Sequence, residues 1–139
     1  MRIELVDTPV RIDQTPRNAD TADEQAFVPS VHVGGDGTVA VTYYDFRNNT
    51  PAAGVPTDYW IVHCHASFAQ ATSWGNEARL TTTSFDMEQA PAARGPLGFF
   101  VGDYEGLANV GNSFIPVFTA VNNSNTANRT DILYTTATP

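Results

Sequence analysis

The stretch that decides the fold reads Ala26-Phe-Val-Pro-Ser-Val-His-Val-Gly-Gly-Asp-Gly-Thr-Val-Ala-Val-Thr-Tyr-Tyr-Asp-Phe-Arg47. A β-branched, apolar run stops at Gly34-Gly-Asp-Gly37 and a second run follows, the pattern of a β-hairpin. The same grammar returns over Phe99–Ala120. There Phe99-Phe-Val-Gly-Asp-Tyr-Glu-Gly-Leu-Ala108 and Ser113-Phe-Ile-Pro-Val-Phe-Thr-Ala120 flank a turn at Val110-Gly-Asn112. A strand-turn-strand unit repeated at this period points to propeller blades or solenoid units. One chain holds too few such units to close a ring, so its function is expected to depend on how copies assemble.

Working outward, no helical periodicity appears; apolar residues alternate or run in short blocks broken by Gly, Pro, Asn and Thr. The pattern predicts strands at Leu5–Ile12, Phe27–Val33, Thr38–Asp45, Tyr59–Ala66, Glu77–Thr82, Phe99–Ala108, Ser113–Ala120 and Asp131–Thr136. Counted from inside to outside, these give a full blade over 26–82 and a partial blade over 97–137. The first strand, 3–12, is left to complete the last blade. The whole chain, 1–139, is then a single two-blade unit. Closed propellers have about four to eight blades. Three copies would make a six-bladed ring without open edges, so a homotrimer is expected.

Composition narrows the partners. The net charge is −8, all seven basic residues are arginines, and charged residues make up only 16% of the chain. Nothing supplies a basic stripe, which argues against nucleic acid or an anionic membrane surface as partner. A neutral or cationic ligand, or a metal ion, suits this balance better. The 42% of hydrophobic residues is enough for one core. Cys64 is the single cysteine, which excludes an intrachain disulfide or a cysteine zinc site and reads as a small buried apolar residue. No apolar run approaches the ~18 residues of a membrane span. Met1 leads directly into Arg2-Ile-Glu-Leu-Val6 without a signal-peptide pattern. The expectation is either a cytoplasmic protein or a piece of a longer secreted chain.

In a propeller, the starts of innermost strands and the ends of second strands meet around the central channel. That rule gathers Gln25, Asp45, Arg47, Asp103, Tyr104 and Glu105 on one rim. Asp45 and Arg47 lie two apart and share a strand face, as do Asp103 and Glu105. Clustered carboxylates either bind a hard cation such as Ca²⁺ or drive one pKa upward and create an acid/base pair. Asp103 and Glu105 are therefore candidates for metal binding, and Asp103, Glu105, Tyr104 and Asp45 for catalysis. Arg47, Gln25 and Trp60 are candidates for holding the substrate. His63 and His65, with His32, have spacing that two strand ligands of a metal can use, but no acid stands near them in sequence. There is no Gly-x-Ser-x-Gly elbow, and Gly34–Gly37 is not followed by a helix that would make it a phosphate loop.

Phe27-Val-Pro-Ser30 resembles the Phe/Tyr-Arg-Ile-Pro segment of the sialidase-like, BNR/Asp-box β-propeller superfamily. Ser67-Phe-Ala-Gln-Ala-Thr-Ser-Trp74 is similar to a degenerate Asp-box (Ser-x-Asp-x-Gly-x-Thr-Trp). Val101-Gly-Asp-Tyr-Glu-Gly106 and Asn128-Arg-Thr-Asp131 resemble the last blade of secreted bacterial members. The likeness covers nearly all of this chain but only the C-terminal third or so of a full sialidase propeller. Val28 stands where the family has arginine, and Ala69 and Ala71 replace the Asp and Gly of the box. The family's arginine triad is not present, so orthodox sialidase activity is not expected. The resemblance implies an all-β, six-bladed propeller and a hydrolase acting on small glycosides or activated esters. The alternatives are a multivalent glycan-binding propeller, or an inactive fragment of a larger sialidase-like protein.

Overall fold

In the computed structural model, residues 8–17, 25–92 and 98–139 are described. The protein is all-β, and no α-helix occurs among the described residues. Strands β1 (Ala26–Val33), β2 (Val39–Asp45), β3 (Pro56–Cys64) and β4 (Gly75–Arg79) form an antiparallel meander. A short β5 (Phe85–Asp86) pairs with the start of β3. A second, three-stranded meander follows, from β6 (Gly106–Val110), β7 (Ser113–Val121) and β8 (Thr130–Tyr134).

The β1–β2 connection is the predicted turn: Gly34 N–H donates to Thr38 O at 2.8 Å, and Gly37 takes φ +87°, open to glycine at little cost. β1 carries a bulge, because Phe27 pairs with Tyr44 and Ser30 with Thr42, leaving Val28 and Pro29 opposite the single Tyr43. Pro29 lacks an N–H and is accommodated at that bulge on an edge strand.

Period two decides which side chains meet. Ala40, Thr42 and Tyr44 of β2, with Tyr59, Ile61 and His63 of β3, face the second sheet. Val41, Tyr43 and Asp45, with Trp60, Val62 and Cys64, face away from it. The inner core joins Tyr44, Tyr59 and Phe85 to Phe118 and Val121 of β7. Tyr59 stacks on Phe118 at 4.6 Å and leans on Tyr44 at 4.4 Å. The first strands of the two meanders also touch, and His32 Nε2 lies 2.8 Å from Asn109 Oδ1. The outer face of the first sheet packs Val41, Tyr43, Val62 and Trp74 with Ile12 of the N-terminal segment. That coverage explains why every residue of β2 except Val39 is fully buried.

Most strand ends differ by one or a few residues from the expectation, and three of the differences have a visible cause. The predicted strand 99–108 begins only at Gly106, since Gly102 at φ +127° breaks the run and Phe99 makes only an isolated bridge with Ala92. β3 starts at Pro56, where pairing with β5 and with Asp45 extends it. β4 stops at Arg79, after which the Thr81 hydroxyl turns back to Asp58. The predicted first strand, 3–12, falls partly on residues 1–7, outside the described ones; residues 8–12 belong to no strand.

Candidate functional site

The end of the molecule where β1 starts and β2 ends carries the candidate residues, and strand alternation divides them between two faces. Asp45, on the outer face, is only 1% exposed. Its Oδ2 accepts from Thr15 Oγ1 at 2.7 Å and from Arg47 Nε at 2.6 Å; its Oδ1 accepts from Trp60 Nε1 at 2.9 Å. The two remaining guanidinium nitrogens of Arg47 grip Glu77 at 2.6 and 2.8 Å, and the guanidinium lies 3.7 Å above the Trp60 ring. Tyr43 donates its hydroxyl proton to Glu77 and accepts from Gln14 N–H at 2.9 Å. Burial, then Glu77, pushes the Tyr43 phenol pKa upward. Burial lowers the Arg47 pKa, but hydrogen bonds to Glu77 and Asp45 raise it further, so the cation is permanent.

Asp45, Arg47 and Trp60 are thus brought together, in a closed network completed by Glu77, Tyr43 and Thr15. Of these, neither Glu77 nor Thr15 was singled out from the sequence. Glu77 and Arg79 alternate with apolar neighbours on an outer strand, where charges ordinarily face solvent. Thr15 lies thirty residues from Asp45, with no local pattern linking them.

Glu105 sits on the other face. Tyr44 Oη lies 2.9 Å from Glu105 Oε1 and 2.7 Å from Thr119 O, and it accepts from Thr119 N–H at 3.0 Å. Burial raises the Glu105 pKa, and the Tyr44 hydrogen bond only partly offsets it. Asp103 and Tyr104 project outward just before β6, with Tyr104 92% exposed. Gln25 lines a separate depression of about 300 Å³ with Phe46, Val55, Met87 and Phe99. No match to this chain emerges from protein-family models, curated proteins or solved structures.

Among the described residues, no group of three or more His, Cys, Asp or Glu side chains is arranged to hold a metal ion. His63 and His65 meet edge to face at 5.0 Å, with His65 Nδ1 2.9 Å from the Thr38 hydroxyl. Burial, then His65, lowers the His63 pKa. His32 is engaged on the inner face by Asn109.

A second buried carboxylate, Asp58, was also not anticipated. It accepts from Thr81 at 2.6 Å, Asn48 at 2.7 Å, Ser84 at 2.8 Å and Arg79 at 2.8 Å. Burial alone would raise its pKa, yet these donors together bring it below the usual value. Because the folded pKa is depressed, its contribution is fully present above the unfolded value of ~3.9 and is lost as pH falls through the folded one. Asp58→Asn is therefore expected to cost about 1–3 kcal/mol at pH 7. Urea titrations of both proteins should show that gap closing below pH ~4. A gap independent of pH would assign the effect to packing instead.

Proposed function

We propose that this chain is a two-blade unit of a sialidase-like propeller, closed by copies of itself, that hydrolyses small glycosides or activated esters at the ring mouth. Support for the ring comes from the two stacked meanders and from apolar residues left exposed on their outer faces. Val31 and Val33 are 64% and 57% exposed on the first sheet; Val110, Ile132 and Tyr134 are 73%, 78% and 76% exposed on the second. Exposed apolar patches of this kind mark interaction surfaces.

The observation that carries the chemical reading is the loop before β6. It holds two carboxylates of different environment, exposed Asp103 and half-buried Glu105, around an exposed phenol. Two such carboxylates divide acid and base roles. Protonated Glu105 gives its proton to the leaving oxygen as the bond to that oxygen breaks. Asp103 takes a proton from the water that forms the new bond, and Tyr104 hydrogen-bonds the substrate. In the alternative to this acid/base role, ionised Asp103 and Glu105 would hold a divalent cation, for which two carboxylates fall short of the roughly six to eight oxygens that Ca²⁺ takes. The remaining ligands would come from neighbouring copies. Arg47 is fully engaged by Asp45 and Glu77, so binding an anionic substrate group would require displacing Glu77.

Light scattering on a sizing column should give a species near three times 15.0 kDa. That species, with and without chelator, should cleave members of a p-nitrophenyl glycoside and ester panel. Glu105→Gln is expected to lower kcat/KM by roughly tenfold or more with the assembly intact. Its thermal midpoint at neutral pH should hold or rise. A carboxyl with a raised folded pKa stabilises only while protonated and loses that contribution as pH rises through the folded value. Unchanged activity in Glu105→Gln and Asp103→Asn, or a wild-type protein inert across the panel, would end the hydrolase reading.

A further inference from the structure

We infer that the cleft between the two sheets is a second binding site, for a neutral oligosaccharide, distinct from the loop before β6. The cleft has a volume of about 720 Å³ and runs between the Leu80–Phe85 segment and the β7–β8 end of the second sheet. That size falls in the range of small-molecule sites and accommodates two or three sugar rings.

The lining chemistry names the ligand class. One wall offers the hydroxyls of Thr82 and Thr83; the other offers the carboxamides of Asn122, Asn125 and Asn128. Among the described residues lining it, Asp131 is the only charged one; Arg79, which bonds the lining residues Thr81 and Ser84 from behind, has its charge paired with Asp58. Amides and hydroxyls both donate and accept, which matches the paired donor and acceptor character of sugar hydroxyls. A site with no unpaired cation among its described lining residues has nothing to neutralise an anionic ligand. The floor is apolar, built from Leu80, Phe118 and Leu133, and suits the C–H faces of sugar rings.

The polar wall is also fixed in place before any ligand arrives. Asp131 accepts from Asn122 Nδ2 and Asn128 Nδ2, both at 2.9 Å, and these two hydrogen bonds hold its pKa below the usual value. Asn125 Oδ1 accepts from Asn128 N–H at 3.1 Å. Opposite, Ser84 is tied to Asp58 at 2.8 Å. Groups whose rotamers are already set lose less entropy on binding.

The test is saturation-transfer NMR and calorimetry on the full chain with maltose, cellobiose, lactose, chitobiose and mannobiose. At least one should bind. Leu133→Arg, which fills the cleft from a half-exposed position, should weaken that binding by roughly tenfold or more. Thr83→Val, which deletes one surface hydroxyl at constant shape, should weaken it by about threefold. Glu105→Gln should leave it unchanged, so this site can stand or fall apart from the hydrolase reading. No binding by any of the five, or binding that survives Leu133→Arg, overturns the inference.

Discussion

Arg47→Ala is expected to destabilise the protein by about 3–5 kcal/mol, the usual cost of removing one partner from a buried ion pair. The magnitude follows from what remains. Asp45 and Glu77 have side chains 0% and 12% exposed, and each would lose its guanidinium contact while staying out of water. Trp60 would lose the cation stacked 3.7 Å from its ring. Neighbouring hydroxyls cannot compensate, because Thr15 and Tyr43 already donate to these same two acids. Arg47→Lys should fall between wild type and Arg47→Ala, since an ammonium keeps the charge but cannot reach Asp45 and grip Glu77 with a planar fork. Equilibrium urea unfolding followed by tryptophan fluorescence reads the effect directly, because Trp60 is both reporter and contact. A loss below about 1 kcal/mol would match an exposed ion pair instead, and the closed network would be wrong.

That network shows where the sequence could be read and where it could not. The hairpins were legible because Gly34–Gly37 and Val110–Asn112 separate alternating apolar runs, and register follows from a turn of fixed length. The all-β class followed from the same residues. Asp45 and Arg47 do meet, but not by the period two that grouped them: β2 ends at Asp45, and Arg47 reaches back to it from the turn that follows. The same period separates Asp45 from Tyr44, and therefore from Glu105, which the rim argument had grouped with it. Strand direction specifies which end a residue occupies; burying that residue on one face or the other depends on sheet-to-sheet contacts. Glu77 and Thr15 enter through such contacts, across pairings that no local spacing announces. Asp58 was hidden differently: an acid inside an apolar strand becomes tolerable only once Thr81, Ser84, Asn48 and Arg79 converge on it. Three of those donors follow β3 in the chain, in or just after β4.

Phe118→Ala tests whether the two meanders fold as one body. Phe118 belongs to the second sheet, is 2% exposed, and stacks at 4.6 Å on Tyr59 of the first. Removing a buried phenyl ring costs about 3–5 kcal/mol through lost transfer energy and the cavity left behind. Both tryptophans, Trp60 and Trp74, lie in the first sheet and its outer core, on the side away from Phe118. Their fluorescence therefore reports on β1–β4 alone. If the Tyr44–Tyr59–Phe118 core couples the sheets, the tryptophan transition should shift by the full amount and coincide with the far-UV circular dichroism transition. If the sheets are independent, circular dichroism should show an early loss from β6–β8 while the tryptophan signal stays at its wild-type midpoint. The first outcome is expected, because Tyr44 also reaches across to Glu105 and to both backbone groups of Thr119, so apolar and polar links cross the same boundary. An unmoved tryptophan transition would reduce that boundary to a contact between separately stable hairpins, and a rigid blade pair could not be built from them.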